Sequence, residues 1–215
     1  MLVTAMRHAE SLGNAGLLLV DDPDPRLSPR GVEQARLSAE RLAQEGVTHM
    51  WSSPFRRAVQ TASILAEEHG IEILLEAGMC EHYIYDDLRD WHPTTGREIA
   101  GEFGRVRLPR GFDAKAWTPE WGETWEALLV RTARVARKAL ALGRRSRGER
   151  DVHLVVVGHG ASTKGLLSAL TGIGIAQDAP FVNAGMSRVR VTDSLPGEIV
   201  FLNDASHLSG LDENL

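Results

Sequence analysis

The sequence predicts an α/β fold, a three-layer αβα sandwich around a mostly parallel central sheet with a cap-like segment inserted. Three observations carry that prediction. Between residues 2 and 75, short apolar runs alternate with segments of helical period in the order strand, loop, helix, strand, helix, strand, which implies right-handed crossovers and parallel pairing. The most apolar run, VHLVVVG at 152–158, is followed at once by a helical segment, as expected of a strand covered on both faces. Residues 83–121 break the rhythm, scattering Trp91, Trp117 and Trp121 among prolines, glycines and charges with no clean period.

Element by element, LVTAM (2–6) reads as a buried strand. The following DDPDPRLSPRG is turn chemistry rather than a linker between domains. From Val32 onward, Val32, Ala35, Ala39, Leu42 and Ala43 recur at helical spacing, with Gly46 placed to end the helix. VTHMW (47–51) is a second strand. In SSPFRRAVQTASILAEEHG, Ser53 is a candidate N-cap with Pro54 at the first helical position, and Ala58, Ala62, Leu65 and Ala66 form the buried stripe. IEILL (71–75) is a third strand. Residues 83–121 are expected to cover one edge of the sheet and to wall the pocket. A helix resumes over about Gly122–Leu142, with Trp125, Leu128, Leu129, Val135, Ala136, Ala139 and Leu140 inward. GRRSRGERD (143–151) reads as a solvated basic loop. After the strand at 152–158, ASTKGLLSALTG is helical, and SRVRVT (187–192) and EIVFLN (198–203) close a hairpin around SLPG. The whole of 1–215 is expected to be one domain.

Composition narrows the function class. A chain of 215 residues, 43% hydrophobic, needs no disulfide or metal staple, and its only cysteine, Cys80, leans towards a reducing, cytoplasmic setting. The initial apolar run is too short for a signal peptide, and no segment is long enough for a membrane span. The expectation is a soluble, unprocessed chain with no membrane partner. A formal net charge of −5 argues against broad nucleic-acid binding. Oligomeric state is left open, a homodimer among the options.

His8 lies just past the end of the first strand and His159 just past the end of the strongest one. In an open parallel sheet ligands bind at the carboxyl ends of the strands, so the two histidines suggest a shared site. Arg7 adjoins His8, and Arg57 lies in the first turn of a helix that follows another strand end. Two unit charges about 4 Å apart at an effective dielectric near 20 repel by ~4 kcal/mol. Two guanidiniums and two imidazoles together therefore ask for an anion, and arginine's planar fork suits phosphate. A neutral imidazole in such a pocket can attack phosphorus, with a carboxylic acid protonating the leaving oxygen. Glu81, arriving from a separate loop, is better placed for that role than Glu10, which reads as a brace for its own loop.

These residues resemble the histidine phosphatase superfamily, also called phosphoglycerate mutase-like. Its Arg-His-Gly-Glu opening with a following asparagine is similar to Arg7, His8, Glu10 and Asn14, with Ala9 in the glycine's place. Its second block is met by Ser53, Pro54, Arg57, Ala58, Thr61 and Ala62, its acid by Glu81, and its Gly-His-Gly by Gly158, His159 and Gly160. LSPRGVEQA (27–35), GETWEALLVR (122–131) and LNDASHL (202–208) are weaker echoes. The resemblance implies that His8 is phosphorylated, that Arg7, Asn14, Arg57, His159 and Gly160 hold the phosphoryl group, and that Glu81 is the acid. It implies no metal and no cofactor, and a small phosphorylated metabolite as substrate. His82 after Glu81 and the acidic YIYDDLRDW favour a phosphatase over a cofactor-dependent mutase. A phosphate-binding module without turnover is the other alternative. GHGASTKG has Thr163 where a P-loop needs glycine, Asp86 stands where a cysteine phosphatase needs arginine, and no G-x-S-x-G elbow is present. The nearby arginines oppose a cation among His8, His82, His159 and His207.

Overall fold

A computed structural model describes residues 1–18, 22–112, 117–146, 151–192 and 194–211. Its sheet is built from β1 (Leu2–Arg7), β2 (His49–Ser52), β3 (Ile73–Leu75), β4 (Val106–Arg107), β5 (His153–Gly158), β6 (Met186–Arg190) and β7 (Glu198–Asp204). The spatial order is β4-β3-β2-β5-β1-β6-β7. The first five strands pair in parallel, while β6 and β7 add antiparallel. β5 thus lies between β2 and β1, and all six of its residues are buried.

Side chains alternate across β5, as the strand period of two requires. Val155 and Val157 join Met6, Leu42, Met50, Leu65 and Ile73 in the core under α1 (Pro29–Leu42) and α2 (Arg56–His69). Leu154 and Val156 face the other way, into the core with Val135, Ala136, Leu166 and Leu167 of α4 (Trp125–Arg145) and α5 (Gly160–Thr171). Each fully buried aliphatic side chain contributes roughly 1.5–3 kcal/mol, so a run apolar on both faces takes the central position. Three layers result, as expected.

Residues 83–121 contain α3 (Gly96–Glu102) and β4, which pairs with β3 and extends the sheet on that edge. Trp91 and Trp117 pack on Phe55, each with ring centroids 5.3 Å from it, so these tryptophans are packing residues. Within this stretch, 113–116 lie outside the described residues.

Several boundaries differ from the sequence reading. α1 begins at Pro29, capped by Ser28, whose Oγ accepts from Gly31 N; Val32 is exposed, and Gln34 and Ser38 are buried in its stead. Proline at the first turn and a serine before it are a better start than the apolar stripe indicated. α2 begins at Arg56, two residues after Pro54. Ser53 does not cap it, since the cap position falls on Phe55, whose N–H reaches Ser53 Oγ, and Asp24 Oδ1 accepts from Arg56 N at 2.7 Å. α4 starts at Trp125 with Thr124 as cap and runs through Arg145, so the first residues of the basic run are helical; 147–150 lie outside the described residues.

Candidate active site

Parallel register brings the two histidines together. Arg7 of β1 is paired with Gly158 of β5, so the residues that leave each strand next, His8 and His159, emerge side by side with ring centroids 5.1 Å apart. His8 N donates to Gly158 O at 2.8 Å. On the other flank Ser52 of β2 is paired with Val157, and the chain turns through Ser53 and Pro54 into α2, bringing Arg57 to the same mouth.

His8 is buried, and its Nδ1 lies 2.7 Å from Ala9 O. A carbonyl can only accept, so Nδ1 carries the proton and Nε2 keeps its lone pair. Burial, then the nearby Arg57 and Arg7 charges, hold the imidazole well below its ordinary pKa. His159 is also held well below, by burial first and then by Arg57 and His8. Its Nε2 is 2.8 Å from Ser53 Oγ, a hydroxyl that already accepts from Phe55 N. Where that hydroxyl donates to Nε2, the ring proton lies on Nδ1. His159 Nδ1 has no hydrogen-bond partner, and Glu81 Oε2 lies 3.7 Å from it.

Both arginines are held at one end and open at the other. Arg7 Nη1 donates to Phe181 O at 2.6 Å, while its buried Nε has no partner. Arg57 lies over the Phe55 ring, 4.5 Å from the centroid, and reaches Pro23 O and Asp24 Oδ1. Asp24 is fully buried, and burial raises its pKa to about 7 against the opposing pull of Arg57. Asn14 accepts through Oδ1 from Ser11 N and from Asn183 Nδ2, which also donates to His8 O.

Ala9 fits where it stands. It is fully buried, its N–H donates to Thr61 Oγ1 at 3.1 Å, and its φ is not positive, so nothing here requires glycine. Glu10 is a brace: Ser28 Oγ donates to its Oε1 at 2.6 Å, and its own N–H donates to Gln34 Oε1. Gly31 makes this docking feasible, since a Cβ there would stand 1.9 Å from Glu10 O.

The loop carrying Glu81 is tied to α4. Arg131 donates to Gly78 O at 2.8 Å, to Glu81 O at 2.9 Å, and through two nitrogens to the Glu123 carboxylate at 2.6 and 2.8 Å. His82 donates from Nε2 to Glu123 O at 2.7 Å. His82 and His207, bonded to Glu123 and Ser38 respectively, serve other parts of the fold. Among the described residues no three His, Cys, Asp or Glu side chains converge as a metal cluster.

Two cavities meet at Arg7, Glu81 and Tyr85. One, of about 430 Å³, holds His8, Asn14 and Arg57; the other, of about 600 Å³, lies beyond Glu81 against Gly160 at the start of α5. His8, Arg7, Asn14, Arg57 and Glu81 line the smaller cavity, with His159 against His8 and Gly160 at the border of the larger one. Asp24, Phe55 and Asn183 were not read from the sequence: each reaches the site through a contact with a distant segment, and no local pattern marks them.

The family model described as histidine phosphatase superfamily (branch 1) matches residues 3–205. The chain is 28% identical over 135 residues to a probable phosphoglycerate mutase GpmB of Serratia proteamaculans, covering 60% of this chain and 63% of that protein. It is 30% identical over 116 residues to the Yersinia pestis counterpart, covering 51% and 54%. The matches span little more than half the length of these relatives. Among solved structures, a phosphoserine phosphatase variant of Entamoeba histolytica with phosphoserine has a TM-score of 0.64 at 21% identity, covering 96% of this chain and 98% of that one. A mycobacterial glucosyl-3-phosphoglycerate phosphatase has a TM-score of 0.66 at 23% identity, covering 94% and 98%. At those identities the structures establish the shared fold.

Proposed function

The chain belongs to the histidine phosphatase superfamily, branch 1, and from that premise we propose that it is a phosphomonoester hydrolase acting on a phosphorylated small molecule through a phosphohistidine on His8. The observation that carries the reading is the tautomer of His8, whose Nδ1–H is committed to Ala9 O and whose Nε2 faces a mouth of cationic and neutral donors. Nε2 attacks phosphorus as the bond to the leaving oxygen breaks. Arg7, Arg57, Asn14 and the Nδ1–H of His159 donate to the three equatorial oxygens, where charge is greatest in the transition state. Glu81 gives its proton to the leaving oxygen, then takes one from the water that attacks the phosphorus and frees His8. Every donor in the scheme comes from this chain, so no metal is required. The buried thiol of Cys80 favours a cytoplasmic setting.

Hydrolysis of p-nitrophenyl phosphate in the presence of a chelator tests the class, and acid-free quenching with labelled substrate tests the intermediate. Label on His8, with a loss of at least ~10³-fold in His8→Ala, is the expected result. Unlabelled protein, or a variant with wild-type turnover, refutes the mechanism. The mutase reading is favoured by the named relatives; against it, the residue after Glu81 is not an arginine but a histidine, whose Nε2 donates to Glu123 O.

A further inference from the structure

The larger cavity is not needed by a phosphoryl group, which the smaller one houses. At about 600 Å³ it has the size of a site for a drug-sized ligand, and Glu81 stands on the border between the two. Since Glu81 protonates the leaving oxygen, the rest of the leaving alcohol extends into that larger chamber.

Its walls have two characters. Ile84, Tyr85 and Val182 are large apolar side chains left exposed by the fold, and all three line this chamber. They supply apolar surface that a ligand body would remove from water, at roughly 25 cal/mol per Å². Further in, Lys164 sits on α5 one turn beyond Gly160 and is only 7% exposed. Its Nζ donates to Gln177 O and to Ala179 O, and lies 6.0 Å from the Phe181 ring centroid. Those partners are neutral, no carboxylate is paired with it among the described residues, and an ammonium has three N–H groups. One donor remains for a ligand, and the nearby Glu81 and Asp178 offset the charge only in part, since neither is within ion-pair distance. Among the described residues the only acid in the lining is Glu81, the proton donor of the proposed mechanism. Arg7, the other cation of the lining, serves the phosphoryl group at the border, so Lys164 with one spare donor matches a carboxylate; a second phosphate dianion would leave charge uncompensated beside Glu81.

Resting on the phosphatase reading, we propose that this chamber takes the alcohol part of a phosphate monoester with a long apolar body against Ile84, Tyr85 and Val182 and a terminal carboxylate on Lys164, a substrate larger than a three-carbon acid. Three primary alkyl esters with similar leaving oxygens separate the features: 8-phosphonooxyoctanoate, octyl phosphate and 3-phosphonooxypropanoate. The expected kcat/KM for the first exceeds each of the others by at least about tenfold, the effect of one charge-assisted hydrogen bond or of about two buried methylenes. Lys164→Met brings 8-phosphonooxyoctanoate down to the level of octyl phosphate, while Lys164→Arg keeps the preference; Val182→Ser narrows the gap to 3-phosphonooxypropanoate. If the wild type hydrolyses p-nitrophenyl phosphate but shows no preference among the three, or prefers the short acid, the proposal is overturned, even should Lys164→Met fail to fold. If p-nitrophenyl phosphate is not hydrolysed, the phosphatase reading fails instead, and calorimetric titration with the same esters still decides the chamber: equal affinities overturn it.

Discussion

At the scale of single residues, the site works by fixing protons. His8 has Nδ1 committed to Ala9 O, which leaves the Nε2 lone pair for attack, and His159 has Nε2 engaged by Ser53 Oγ, which leaves Nδ1 for the mouth. Among the described residues, Glu81 is the only carboxylic acid that borders both cavities. Glu81→Gln should therefore slow alkyl phosphates by ~10²–10⁴-fold, the usual worth of general acid catalysis, and p-nitrophenyl phosphate far less, because nitrophenolate leaves without a proton. Equal losses on both would assign the proton donor elsewhere. His8, Arg57, Glu81 and His159 were legible because each follows a strand end in a short pattern. Asp24 and Asn183 were not, because a buried loop carboxylate and a bridging amide are recognised only by the partners that folding brings to them.

At the scale of elements, α4 does more than cover the sheet. Its Arg131 holds the backbone of the Glu81 loop at Gly78 and Glu81, with Glu123 as counter-charge. The spacing within GETWEALLVR puts Glu123 just before the helix and Arg131 two turns into it, a motif whose purpose the sequence does not disclose. Removing a partner from a buried hydrogen-bonded pair leaves the other uncompensated, so Arg131→Met should release the loop. Arg131→Met is expected to lower kcat at least ~10-fold for alkyl phosphates and less for p-nitrophenyl phosphate, with the inhibition constant of inorganic phosphate little changed. A uniform loss on both esters would reduce Arg131 to a purely structural support. Helix starts were the least legible feature, since the cap of α2 is supplied by Asp24, more than thirty residues upstream.

At the scale of the whole molecule, the central sheet was readable from hydrophobic runs and their order, while the contribution of β4 was not, because two residues leave no period to detect. The fold also favours the neutral form of five histidines. Burial lowers the pKa of His8, His69, His153, His159 and His207. Unfolded histidine takes a proton near pH 6.5, so below that pH the unfolded chain binds more protons and stability falls. Asp24 acts in the opposite sense: its raised value near 7 means that it stabilises at acid pH and loses that contribution as pH rises from 3.8 towards 7. Five histidines against one aspartate predict a net loss on acidification. Thermal melting should drop by at least ~2–4 °C between pH 7.5 and 5.5, the equivalent of ~1 kcal/mol in a chain of this size. A flat or rising profile would show that the histidines are not held neutral.

Cys80 lies at the seam between the sheet and the inserted segment, fully buried, its Sγ donating to Trp117 O at 3.6 Å and its thiol pushed up to about 12. A thiol so placed makes the molecule its own clock. Alkylating reagents should leave the resting protein unmarked and mark it only when the segment bearing Trp117 lifts away, so the labelling rate, compared with that of global unfolding, reads how often the mouth opens. Labelling no faster than unfolding would mean that wall and sheet part only together.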